Sequence, residues 1–296
     1  KRAKLDAQAA TDPLITTAGH AARRSFTGGA AWSQMLARAR FEFAYVMTGP
    51  AFIVLLMVGL LNAYGALWYA DSLGGNITVF PVTMLMAQAL LGSFTLFPII
   101  IATYYSGELV WRDREKRMHE IVDTTPAPDW TFVAPKVLAL FAVLASCIAV
   151  SVLAGVLVQV LKGFSAVNIG QYLTWYALPA LYSCFTFAAL AVFAQVVTPH
   201  KFIGWGVMLI YLIGSITLSQ LGFDHNLYLY GNTPNQPLSE MNEHSHYWIG
   251  AAWFQLYWSI FALLLIVLSY TLWRRGADTR LVPQLVRLPR RLAGAA

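Results

Sequence analysis

The chain has 296 residues, of which 58% are hydrophobic and 11% charged, and its mean hydropathy is +0.57. A soluble domain carries about 25% charged residues, so an ordinary soluble globule is excluded, and 17 Phe, 14 Tyr and 10 Trp exclude a solvated, disordered tail. A net charge of +6 would suggest nucleic acid or another acidic partner for a soluble chain, but in a membrane chain the placement of charges matters more than their sum, and no nucleic-acid partner is expected.

Residues 1–30 read as an N-terminal segment on the cytoplasmic side. No charged stretch followed by a short apolar core opens the chain, so no signal peptide is expected, and the chain reads as a segment of something longer. Between 31 and 46, Trp32, Met35, Leu36, Ala39, Phe43 and Val46 recur at helical spacing, with Gln34, Arg38, Arg40 and Glu42 as the polar positions. The pattern predicts an interfacial elbow helix along the inner leaflet, an anchor rather than a site. Gly49-Pro50 predicts a bend after it; the alternative is that this helix extends the first span inward.

Six apolar runs follow, at about Pro50 to Tyr69, Phe80 to Tyr104, Phe132 to Leu161, Tyr172 to Val197, Phe202 to Leu221 and Tyr247 to Trp273. Each is long enough to cross a bilayer core of about 30 Å as a helix. Lipid offers the backbone no hydrogen-bond partner and the runs lack strand alternation, so all six are expected to be helices, with Pro81, Pro98 and Pro179 as candidate kinks. Cys147 and Cys184 lie inside apolar runs and read as packing residues.

Of the 20 Lys and Arg, 19 fall before the first span, between the second and third, at Lys136 or Lys201, or after the last span; only Lys162 falls in a loop of opposite parity. Both termini are therefore expected in the cytoplasm, with residues 31–274 a six-span domain and 275–296 a basic cytoplasmic tail. The expected location is the plasma membrane, the inner membrane in a bacterium. No Asp, Glu or Arg falls near a span midplane, which weighs against ion-coupled carriage and voltage sensing. Gln88, Gln159 and Gln195 read as interhelical hydrogen-bonding groups.

The element at 106–130 is the strongly charged stretch between spans. Glu108 and Arg112, Arg112 and Lys116, Asp113 and Arg117, and Glu115 and His119 are four apart, which predicts a helix with charged pairs on its surface, stopping near Thr124-Thr125-Pro126. His119-Glu120-Ile121-Val122-Asp123 starts like the zinc motif HExxH, but Asp123 stands where the second His is needed, so no metal is expected. No G-x-x-x-x-G-K-[ST] occurs, so nucleotide phosphates are not held here by the P-loop route. With no GxSxG, paired Asp or HExxH in the spans, a membrane enzyme is not expected.

The order Asp113-Arg114-Glu115-Lys116, then Glu120, then Thr125-Pro126, then Lys136 ten residues after Pro126 resembles the signature of ABC-2-type exporter permeases. Arg117, Met118, His119 and Asp123 depart from it, Arg117 standing where the pattern has Gly. With the elbow helix and the six-span order, the resemblance covers nearly the whole chain. It implies an all-α, ABC-2 exporter-like permease in which 106–130 is a cytoplasmic coupling helix. Glu108, Arg112, Arg114, Glu115, Glu120, Thr125, Pro126 and Lys136 would then couple the spans to a separate ATPase subunit that carries ATP and Mg, and a second six-span half would complete the path. The wording from Gly107 to Trp130, with His225 to Gly231 and the loop holding Met241-Asn242, resembles one branch more closely, in which two permease halves are joined to a zinc aminopeptidase. An alternative function is then a non-transporting membrane anchor or regulatory domain of such a polypeptide.

The outer loop 222–247 holds Asp224, His225, Asn226, Glu240, Met241, Asn242, Glu243, His244 and His246 and no Lys or Arg. His244 and His246 would share a face only on an extended chain, so a structural or vestibule role is expected rather than a metal site. The resemblance implies short re-entrant helices here that close the outer mouth.

Overall fold

A computed structural model describes residues 28–70, 80–118, 130–223, 225–237 and 246–273. Among these residues there are helices, turns and no strand. A helix α1 spans Gly28–Met47. It is followed by α2 (Pro50–Trp68), α3 (Thr83–Glu115), α4 (Trp130–Leu161), α5 (Ile169–Val197), α6 (Lys201–Gln220) and α7 (Tyr247–Thr271). The last six are each long and apolar enough to cross a membrane, as a multi-pass membrane protein requires.

α1 and α2 are separate helices. Pro50 occupies the first turn of α2, where its missing N–H costs nothing, and Gly49 sits between the helices with φ −68° and ψ 131°. A Cβ on Gly49 would lie 2.9 Å from the Tyr105 hydroxyl oxygen, so the bend is held tight against α3. The buried positions of α1 are Met35, Ala39, Glu42 and Val46, one stripe at spacings of four, three and four, while Trp32 and Leu36 are exposed. This corrects the expected polar face: Glu42 lies on the buried stripe. α1 packs on α4.

Helix irregularities mark two of the three expected kinks. In α3 the regular ladder breaks at Thr95, where Pro98 has no N–H to give to the Phe94 carbonyl. In α5 a wide π-type turn runs from Tyr172 to Ala177, and Pro179 cannot donate to Trp175 within it. Pro81 lies ahead of α3 and kinks nothing.

With lipid around the bundle, packing and interhelical hydrogen bonds hold the spans together. Gln159 on α4 donates to the Pro81 carbonyl at 2.8 Å and accepts from the Tyr172 hydroxyl at 2.8 Å. Ser151 and Tyr176 are hydrogen-bonded at 2.7 Å, and Asn62 donates to the Ser93 carbonyl at 2.8 Å. Gln159 and Gln195 are buried as expected of bridging groups, whereas Gln88 is exposed on the outside of the bundle. α5 is the central helix, packed against α3, α4, α6 and α7. α6 is the least covered of the six.

The largest departure concerns the element after the second span. Instead of a span ending near Tyr104 and a helix running on to Thr124, α3 continues to Glu115 and stops there. The Arg117 N–H bonds the Arg114 carbonyl at 3.0 Å and the Met118 N–H the Asp113 carbonyl at 2.9 Å, the paired closure that ends a helix through a left-handed residue. That residue is Arg117, at φ 53°.

Candidate functional site

The charged residues gather at one end of the bundle, where α1, the C-terminal end of α3, the N-terminal end of α4 and the α5–α6 junction meet. The centre is Glu42, which is 0% exposed. Arg112 Nη2 donates to Glu42 Oε1 at 2.7 Å, and Nη1 lies 2.7 Å from Oε2 in ion-pair contact outside hydrogen-bond alignment. Lys136 Nζ, also 0% exposed, lies 3.5 Å from Glu42 and 3.2 Å from Asp113, and donates to the Leu109 carbonyl. Arg38 donates to Asp113 at 2.9 Å. Rings cover the cations: Phe132 lies 4.8 Å from Arg38 and Tyr45 lies 4.6 Å from Arg112.

An adjoining face of α3 carries a second set. Lys201, the first residue of α6, bridges Glu108 at 3.1 Å and Glu115 at 2.7 Å. Beside it, Trp111 Nε1 donates to Gln195 Oε1 at 3.1 Å and Trp205 Nε1 to the Tyr104 carbonyl at 3.3 Å. The approach is close: a Cβ on Gly107 would lie 2.3 Å from Trp205 Nε1, and one on Gly204 would lie 2.3 Å from Gln195 Oε1. The last turns of α3 are thus tied on one side to α1 and α4 and on the other to α5 and α6.

The charged pairs expected along the surface of one helix are therefore tertiary instead. Glu108 and Glu115 pair with Lys201, Arg112 with Glu42, and Asp113 with Lys136 and Arg38. The turn at 116–118 ends the helix after Glu115, and His119 lies outside the described residues. Arg114 stands over the Trp111 ring at 5.9 Å.

Of the expected coupling residues, Glu108, Arg112, Arg114, Glu115 and Lys136 converge at this end; Glu120, Thr125 and Pro126 lie outside the described residues. Sequence reasoning missed Arg38, Glu42, Asp113 and Lys201 as site residues. A signal existed for Glu42: it is the sole acidic residue between Asp12 and Asp71, and it interrupts an apolar stripe.

At the far end, Asp224, Met241 and Asn242 lie outside the described residues. His225 Nδ1 accepts from the Leu227 N–H at 3.2 Å and Asn226 Oδ1 from Asn232 at 3.0 Å. His246 stacks on Tyr247 with ring centroids 4.7 Å apart. Residues 225–237 form turns and irregular chain and no helix, with Gly231 at φ 78° and Pro234 and Pro237 opposing a helix; 224 and 238–245, the rest of the loop for which re-entrant helices are implied, lie outside the described residues. This segment folds back on the spans: Tyr230 donates to the Thr186 carbonyl at 2.9 Å, Tyr211 to the Tyr230 carbonyl at 3.1 Å, and Tyr182 to the Gly231 carbonyl at 3.2 Å. Among the described residues no group of three or more His, Cys, Asp or Glu converges as a metal site would need.

No protein-family model matches this sequence, and no curated protein matches it.

Proposed function

We propose that the chain is one six-span permease half of an ATP-driven transporter of the ABC-2 type, embedded in the plasma membrane with both termini cytoplasmic. It moves an unidentified substrate, outward as the resemblance implies, with energy from a separate ABC ATPase that holds ATP and Mg. The chain itself is not an enzyme, and a second six-span half completes the path.

The observation that carries this reading is the clamp on the last turns of α3. Arg112, Asp113 and Lys136 tie α3 to α1 and α4, and Glu108 and Glu115 tie it to α6. A load applied where the chain leaves α3 at Glu115 is passed to three other elements together. Ion pairs of this kind are a poor source of net stability but a good source of fixed geometry. Transport needs two arrangements of a packed interface, each favoured by a different nucleotide state of the partner, and not a reacting side chain.

The test is affinity purification of the native protein from its own membranes in mild detergent, with mass spectrometry of the polypeptide and everything bound. A co-purifying ABC ATPase and a second six-span half, as a separate chain or in the same polypeptide, are the expected result. Folded spans without any ATPase would refute the transporter reading. The membrane-anchor role in a peptidase-bearing polypeptide would then take its place.

A further inference from the structure

Residues 225–237 reach deeper into the bundle than a surface loop does. The Tyr230 carbonyl accepts from Tyr211, which stands midway along α6. The Gly231 carbonyl accepts from Tyr182, and the Tyr230 hydroxyl donates to the Thr186 carbonyl, both on the middle turns of α5. The Tyr230 ring meets that of Trp258, midway along α7, edge to face with centroids 5.3 Å apart. At 1.5 Å per residue, Tyr211 lies about 13 Å and Trp258 about 16 Å from the helix ends away from the clamp. With the spans in a bilayer, Tyr230 and Gly231 therefore sit near half depth in a hydrocarbon core of about 30 Å.

Non-helical chain is not tolerated against lipid, because its N–H and C=O groups find no partner there. The phenols of Tyr182 and Tyr211 satisfy two carbonyls. Among the described residues, however, nothing accepts from the N–H groups of Tyr230, Gly231 and Thr233, and these three residues are half-buried rather than enclosed. Trp258 Nε1 is a further such donor, buried without a hydrogen-bond partner on a residue 6% exposed. Neither lipid nor these helices supply the acceptors that the four donors need.

We infer that water enters between α5, α6 and α7 from the end away from the clamp and reaches Tyr230, so that a single six-span bundle is wet to the middle of the membrane. Irregular chain at this depth is stable where it lines water, and buried donors of this kind are met by ordered water. The half-buried polar residues around the crevice, Tyr182, Tyr211, Asn232 and Thr233, carry no charge, so it suits water and neutral polar solutes. The inference needs the spans in a bilayer and does not need the transport reading.

The test is labelling of single added cysteines by a charged, membrane-impermeant methanethiosulfonate. The full chain is held in phosphatidylcholine nanodiscs, which leave both faces open, and adducts are counted by intact mass above those of the native chain. The thiolate is the reacting species, and a thiol in lipid does not ionise. Leu229→Cys and Thr233→Cys should label within about tenfold of Met118→Cys, an exposed position in the turn after α3. They should label on the order of a hundredfold faster than Leu256→Cys and Ile260→Cys, exposed apolar positions of α7 on either side of Trp258. Labelling as slow as at those two α7 positions would overturn the inference. Should the cysteine variants not fold, hydrogen–deuterium exchange of the unaltered chain in the same discs decides. The Tyr230 and Gly231 amides should exchange at the earliest time measured, while those of α6 around Tyr211 stay protected; equal protection of the two also overturns it.

Discussion

Neutralising Glu42 tests the clamp directly. In the native chain three cations (Arg38, Arg112, Lys136) share two carboxylates (Glu42, Asp113), a surplus of one positive charge. Glu42→Gln keeps the shape and doubles that surplus, and it leaves Arg112 an amide oxygen to donate to but no carboxylate charge to face. Removing one partner of a buried pair costs about 3–5 kcal/mol, because the remaining charge is left without compensation. At roughly 2–4 °C per kcal/mol, by analogy with soluble chains of similar size, the midpoint should fall by on the order of 10 °C.

The companion substitution is Lys136→Met. It removes one cation, leaves Arg112 paired with Glu42, and takes away the side-chain donor to the Leu109 carbonyl, for a cost of about 1–3 kcal/mol. In the double variant Arg38 and Arg112 face Asp113 alone, so the surplus returns to its native value of one. The two effects should therefore be less than additive by about 0.5–3 kcal/mol. Detergent-solubilised variants can be ranked by size-exclusion chromatography after heating. A Glu42→Gln protein that melts with the native chain, or two single losses that simply add, would refute the buried pairing.

Three further outcomes follow from the same end of the bundle. Arg117→Gly should raise stability by about 0.5–1 kcal/mol in the same melting assay, since a left-handed conformation costs a side-chain-bearing residue and not glycine. Gly163 and Gly222 close α4 and α6 with the same pair of backbone bonds at φ 81° and 86°. Gly107→Ala and Gly204→Ala should each lose about 1–3 kcal/mol by overpacking, whereas Gly206→Ala, with nothing within 4 Å of its added Cβ, should melt with the native chain. Glu115→Ala should change stability by less than about 1 kcal/mol, its pair with Lys201 being partly exposed, yet should weaken transport-linked ATP hydrolysis in reconstituted vesicles, as should Glu120→Ala; unaltered coupling in both would remove the mechanical role.

The spans were readable from sequence because lipid imposes a length and a composition on each of them, and α2, α4, α5, α6 and α7 begin or end within a few residues of the apolar runs. The end of α3 was not, for a local reason. Charges four apart are neighbours on any helix, so the spacing from Glu108 to His119 suits a long surface helix as well as a short buried one. What decides between them is a left-handed Arg117, a conformation the sequence signals only where glycine occupies it. Glu42 was hidden differently: a charge among apolar residues reads as the edge of a polar face until its partners are known, and those partners lie 70 and 94 residues away, at Arg112 and Lys136.

The two ends of the bundle divide the work between stiffness and give. At the charged end, ion pairs and close glycine contacts leave the last turns of α3 no freedom to slide against α1, α4 or α6. Midway along the same helix the ladder is interrupted at Thr95 and Pro98, and α5 carries its π-type turn just before Pro179. Between those irregular stretches lies a small apolar pocket lined by residues that include Pro98, Leu144, Ala180 and Cys184. Close-packed interiors switch between discrete arrangements rather than deform smoothly, so a void beside two weakened helices is where a second arrangement is cheapest to reach. On the proposed transport reading, a displacement entering at Glu115 would pass through the clamp and be taken up as bending at Thr95 and at Tyr172 to Ala177.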